Sequence, residues 1–119
     1  MSDVSKTLDL EYLRTEVDRV MSLVNVNGIQ GLYISTPFSK GYHRIEASQP
    51  DDFNRTIIQA ILYLLRERNR DGSIDRVTIE DKDGIALFAV SLFGSVVEIK
   101  DQRTDDSTQK FKIIPKPSK

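Results

Sequence analysis

His43 is the one histidine in the chain, so no other side chain has an unperturbed charge change near neutral pH. A general base also needs an orienting partner and a pocket. The neighbours Tyr42 and Arg44 supply neither by spacing, so the plainer reading is a surface or sheet-edge histidine. Asp81 and Asp83 ahead of Gly84 match the middle of a calcium loop. That loop would need an acid at 79 and a glutamate at 90, where the chain has Ile79 and Val90. The match therefore fails, and tight-turn chemistry explains Asp81, Asp83 and Gly84 fully. Asp51 and Asp52 could be paired carboxylates, but they follow Pro50 at a helix start, where negative charge suits the dipole. Gly28 and Gly31 do not form a dinucleotide fingerprint, and no phosphate-loop motif is present. Ser35 and Ser39 lack the flanks of a nucleophile elbow. The absence of cysteine removes disulfides, thiolate zinc sites, iron–sulfur clusters and cysteine catalysis. These residues lead us to expect no enzyme, no cofactor and no metal.

The best basic cluster is Arg66, Arg68 and Arg70, with Arg76 nearby in sequence. With Tyr33, Phe38, Tyr42 and His43 it could serve a nucleic-acid surface, where arginine holds phosphate and aromatics stack bases. Against this, Glu67, Asp71 and Asp75 interrupt the run, and 17 basic residues face 18 acidic ones in the whole chain. A solvated helix end is the plainer reading, and nucleic-acid binding stays as the alternative function.

The elements that must position these groups are legible from periodicity. The 119 residues suit one domain. We expect a flexible N-terminus over 1–6, a single α+β domain over 7–100, and a polar loop and tail over 101–119. Leu10, Leu13, Val17, Val20, Met21 and Val24 recur at three- and four-residue steps, which predicts an amphipathic helix capped by Thr7 or Ser5. Ile29–Thr36 and Tyr42–Ala47 read as a hairpin, with Thr36–Gly41 as its turn and Gly31 at a close backbone approach. Ser48 or Gln49 as cap and Pro50 at the first helical position predict a second helix to Arg70. Ile74–Glu80, Ile85–Leu92 and Val96–Lys100 read as three strands joined by turns at Asp81–Gly84 and Phe93–Ser95. Residues 101–110 carry no apolar side chain and read as a mobile loop, after which Phe111–Ile114 could add a short strand. The order is α-β-β-α-β-β-β, a mostly antiparallel sheet packed with two helices. The first six residues hold no apolar signal core, and Ala60–Leu65 and Ile85–Val90 are too short to span a bilayer. A soluble cytoplasmic protein without membrane insertion is expected.

The second helix carries the most information. Ile57, Ile61, Leu64 and Leu65 make a normal core stripe, yet Phe53, Ile58, Ala60, Leu62 and Tyr63 widen the apolar arc well beyond it. Between Thr56 and Leu65 the only polar side chain is Gln59, with Tyr63 amphipathic. Either the helix is buried on two sides within one chain, or its second face meets another subunit.

The order of elements over Leu10 to about Asp101 resembles the roadblock/dynein light chain family and, through it, the longin-like scaffold. The stretches that carry the likeness are Asn27–Ile34, Tyr42–Ala47, the helix from Pro50 to Arg70, and the strands Ile74–Glu80, Gly84–Val90 and Ser95–Ile99. The family's usual C-terminal helix is missing, as in its shorter scaffold members. The resemblance implies a non-enzymatic dimerisation module, pairing with itself or a related subunit, with a small GTPase or a scaffold complex as partner. It also implies that the second helix packs on its counterpart while the third strand pairs with its twin. On that basis Ile58, Leu62, Arg76 and Thr78 are the expected self-interface, with Arg66, Arg68 and Arg70 as the alternative nucleic-acid contacts.

Overall fold

The computed structural model describes residues 9–38, 41–70, 74–104 and 107–113. Helix α1 runs Leu10–Met21 and buries Leu13, Val17, Val20 and Met21. Its cap is Asp9, whose carboxylate accepts the Tyr12 amide at 3.0 Å. The expected caps Ser5 and Thr7 lie outside the described residues. The helix stops where the Ser22 hydroxyl donates back to Arg19 O at 2.7 Å. Gly28, at φ 79°, then reverses the chain.

Strands β1 (Tyr33–Phe38) and β2 (Gly41–Glu46) form the expected antiparallel hairpin, in register from Tyr33 opposite Glu46 to Phe38 opposite Gly41. The first strand starts later than its apolar pattern suggests. Thr36, Pro37 and Phe38 belong to it rather than to the turn; Ser39 and Lys40 lie outside the described residues. The chain before it packs too tightly for a side chain at Gly31. A methyl there would sit 2.7 Å from Ile79 Cγ2 and 3.1 Å from Phe53 Cε2.

Helix α2 spans Phe53–Arg70, three residues later than Pro50 predicts. Pro50 instead lies in a turn closed by the Asp52 amide on Gln49 O at 3.0 Å. Asp52 is the cap, accepting the Arg55 amide at 3.2 Å, so neither Ser48 nor Gln49 fills that role. Pro50 fits both positions, because its fixed φ suits a turn as well as a first helical residue.

Strands β3 (Arg76–Glu80), β4 (Ala86–Phe93) and β5 (Val96–Asp101) follow as a meander. Asp81 closes the first turn by accepting the amides of Asp83 at 2.9 Å and Ile85 at 3.0 Å, which accounts for the acids before Gly84. The region from 101 onward is not one loop. Strand β6 (Thr108–Lys112) pairs with β5 from Lys100 opposite Thr108 to Val96 opposite Lys112, and buried Phe111 anchors it. The Asp101 carboxylate is buried and holds the intervening turn. Arg103 grips it in fork fashion, Nε to Oδ1 and Nη2 to Oδ2, both at 3.0 Å, and also reaches Asn25 O at 2.8 Å. Burial works to raise this carboxyl, but the Arg103 hydrogen bonds and charge outweigh it and hold it below its ordinary range.

The fold is α+β, with both helices on one face of a six-stranded antiparallel sheet in the order β2-β1-β3-β4-β5-β6. Helix α2 covers β3 and β4, where Phe53 meets Phe88 at 5.1 Å, and α1 lies between α2 and β6. The helices run antiparallel, tied by Asn54 donating to Asp18 at 2.7 Å. Among the described residues no helix is long and apolar enough to cross a membrane. Among the described residues the outer strands of the sheet are β2 and β6. Strand β3 has β1 on one side and β4 on the other, so its backbone offers no open edge for a twin.

Candidate interaction surface

Much of the apolar width of α2 is absorbed within the chain. Ile57, Ile61, Leu64 and Leu65 are fully buried in the core, and Phe53, Ala60 and Tyr63 are buried as well. Packing between sheet and α1 therefore explains most of the excess. Ile58 and Leu62 are different: they remain half-buried on the outward side of the helix.

These two residues form the floor of an open groove of about 760 Å³. One wall is the start of α1, with Leu10 at 50% exposure and Arg14 one turn later. The other wall is the edge strand β2, through Ile45, and the loop at Ser48 and Gln49. Along the floor, Arg55, Ile58, Leu62 and Arg66 follow one another at helical spacing, so an apolar pair lies between two arginines. Gln59 fixes the β2 wall, accepting the Ser48 amide at 2.8 Å and donating to Glu46 O at 3.3 Å.

Among the described lining residues the charged ones are all basic, Arg14, Arg55 and Arg66, with no Asp or Glu. Arg55 shares an ion pair at 3.3 Å with Asp52, both more than half exposed. Arg66 lies over the Tyr63 ring at 5.4 Å. Arg14 has no ion-pair partner among the described residues. At the far end, the His43 ring stacks on Tyr63 with centroids 6.1 Å apart, which places the histidine on a sheet edge as its sequence context suggests. Burial, and then the negative charge of Glu67, push the Tyr63 phenol above its ordinary value.

The expected site residues separate into groups. Ile58 and Leu62 come together. Arg76 and Thr78 alternate with helix-facing Val77 and Ile79, so they lie on the opposite face of the sheet from the groove. The four residues therefore form no single surface. Arg66, Arg68 and Arg70 do not converge either. Arg68 turns to the β4–β5 turn and donates to Gly94 O at 2.6 Å and Leu92 O at 3.3 Å. Arg70 pairs with the buried Glu67 at 3.3 Å, and Arg66 belongs to the groove. Of the aromatics grouped with them, Tyr33 lies on the open sheet face under Arg44 at 4.1 Å, which in turn pairs with Glu80 at 3.1 Å. Side-chain positions at Phe38 and Tyr42 lie outside the described residues.

Leu10, Arg14, Ile45 and Arg55 belong to the groove and were not singled out by sequence. Leu10 and Ile45 each fit a core periodicity, and only the packing shows that they stop short of the core. A smaller notch of about 470 Å³ lies near Gly28, Leu32 and Leu87. Its carboxylates are already engaged, Asp51 with Gln30 and Asp81 with the turn amides.

No family model, no curated protein and no solved structure matches this chain.

Proposed function

We propose that this chain is a non-enzymatic protein–protein interaction module that docks a partner on the outward stripe of α2. The observation that carries this reading is the pair Ile58 and Leu62. They stay only partly buried between Leu10 and Ile45, on a helix whose other apolar residues are buried. A continuous apolar strip of this kind, rimmed by charge, is the usual composition of a docking surface. The element order shared with roadblock-like proteins supports the reading, and small GTPases and scaffold subunits are the clients that likeness implies. The twin contact through the third strand does not carry over, because β3 is interior.

A photo-crosslinking residue at position 62, with position 23 as control, tests this. Leu23 is also apolar and is 67% exposed. In native extract we expect discrete protein adducts from position 62 and none from position 23. Equal labelling at both positions would refute the docking role. Light scattering over a dilution series on the same protein shows whether self-association accounts for any adduct.

A further inference from the structure

Resting on that reading, we infer that the groove takes an acidic amphipathic segment of a different protein rather than a second copy of this chain. The floor is aliphatic, so the occupant presents aliphatic side chains. The rim is cationic, with Arg14 on α1 and Arg55 and Arg66 at the two ends of the α2 stripe. Among the described lining residues there is no carboxylate; Arg55 pairs at the rim with the half-exposed Asp52, and Arg14 and Arg66 have no ion pair among the described residues. At 1.5 Å per residue, Arg55 and Arg66 lie about 16 Å apart along the helix, or three turns. The complementary segment carries apolar residues three or four apart, flanked by Asp or Glu about three turns from end to end.

A second copy fits this charge pattern poorly. A two-fold axis that places Ile58 against Leu62 of the other copy runs the two α2 helices antiparallel. It then brings Arg55 beside Arg66 of that copy, twice, with Arg14 also near the contact. Like charges meet where opposite charges would be needed. A nucleic acid would satisfy the arginines, but its phosphates and sugars would leave an aliphatic floor facing polar groups. The one aromatic ring among the described lining residues, Tyr63, is buried under Arg66 and stacked by His43.

The test is selection from a display library of random segments about four helical turns long, on the full chain, with counter-selection on Leu62→Asp. Selected segments are then synthesised and titrated by fluorescence anisotropy. The targets are wild type, Leu62→Asp, Arg66→Glu and Arg14→Glu, each checked for native circular dichroism. We expect acidic segments with paired aliphatic anchors. Their affinity should fall with added salt, drop about tenfold or more in each charge-reversed variant, and vanish in Leu62→Asp. Leu62-dependent binders that are neutral or basic, and indifferent to the arginines, would overturn the acidic occupant while leaving the docking surface standing. The absence of any Leu62-dependent binder, together with no adduct at position 62, would overturn both. A dilution-resistant dimer that Leu62→Asp dissociates would replace the acidic segment with a second copy. Competition by a single-stranded oligonucleotide that needs the arginines but not Leu62 would replace it with nucleic acid.

Discussion

Replacing Arg103 by alanine tests whether the carboxy-terminal third is held by one ion pair. The Asp101 side chain is only 5% exposed and receives two Arg103 hydrogen bonds at 3.0 Å, while the Arg103 side chain is 31% exposed. Removing one member of a fully buried pair costs about 3–5 kcal/mol, and exposed pairs are worth under about 1 kcal/mol. The partly open arginine sets the expectation for Arg103→Ala at about 2–3 kcal/mol, including the loss of the Asn25 contact. For a chain of this size that lowers the thermal midpoint by about 8–12 °C. The pH dependence separates this cause from lost packing over Phe88, which Arg103 overlies at 5.2 Å. The folded Asp101 carboxyl sits below the unfolded value of about 3.9, so its contribution is complete above that value and is lost as pH falls through the folded one. In the variant the guanidinium bonds and charge are gone, and burial of the carboxyl is opposed only by the residue-103 backbone amide, which donates to Oδ1 at 2.9 Å. The stability gap between wild type and variant should therefore be widest near neutrality and narrow below about pH 4. Urea unfolding followed by circular dichroism at several pH values measures this. A gap that is flat with pH, or smaller than about 0.5 kcal/mol, would refute the ion-pair account. The double variant Asp101→Asn, Arg103→Ala should be more stable than Arg103→Ala alone, because no buried charge is left unpaired.

Gly31→Ala should destabilise the fold by about 1–3 kcal/mol in urea unfolding, since its methyl would press on Ile79 and Phe53. Phe111→Ala should cost about 3–5 kcal/mol and speed amide exchange in β6 and β5 before the rest of the sheet. Ile61→Ala, at a fully buried site, should cost about 2–5 kcal/mol, whereas Leu62→Ala one residue on should cost under about 1.5 kcal/mol. Equal losses at 61 and 62 would mean that Leu62 is core and not surface. The Tyr63 phenol should ionise above the ordinary range, seen as a high-pH component of the ultraviolet titration that Tyr63→Phe removes.

Local chemistry made several elements legible. Alternation marked β2 and β3, and Asp81–Gly84 announced its turn because those residues close it with their own side chains and backbone. The tight approach at Gly31 was also readable. Features set by distant partners were not. Strand β6 has one buried anchor, Phe111, and its other side chains alternate through polar residues, so its pairing with β5 leaves little trace in composition. The neighbours of β3 are likewise tertiary. Nothing in Arg76–Glu80 says that β1, separated from it by the whole of α2, lies alongside. Arg68 looked like its neighbours in the basic run, but its role depends on carbonyls at Leu92 and Gly94. In the candidate site, apolar excess exposed Ile58 and Leu62, while Leu10 and Ile45 were hidden by fitting the core rhythm.

The location of the groove follows from the widths of the parts. Six strands at about 4.8 Å spacing give a layer of about 29 Å, and two helices of about 10 Å diameter cover about 20 Å of it. Some part of the helix-facing surface must stay open. Helix α1 lies toward β6, where Phe111 and the Asn25–Arg103 tie sit, and α2 lies over β3 and β4. The shortfall therefore falls at the β2 edge, beside Ile45. A chain that kept this strip bare for no purpose would be expected to place polar residues along it, as it does on the opposite sheet face with Arg44, Arg76 and Glu80. Instead Ile58 and Leu62 keep it apolar, and three arginines frame it. Local sequence and global packing disagree at this place, and the proposed docking of another molecule is what would resolve the disagreement.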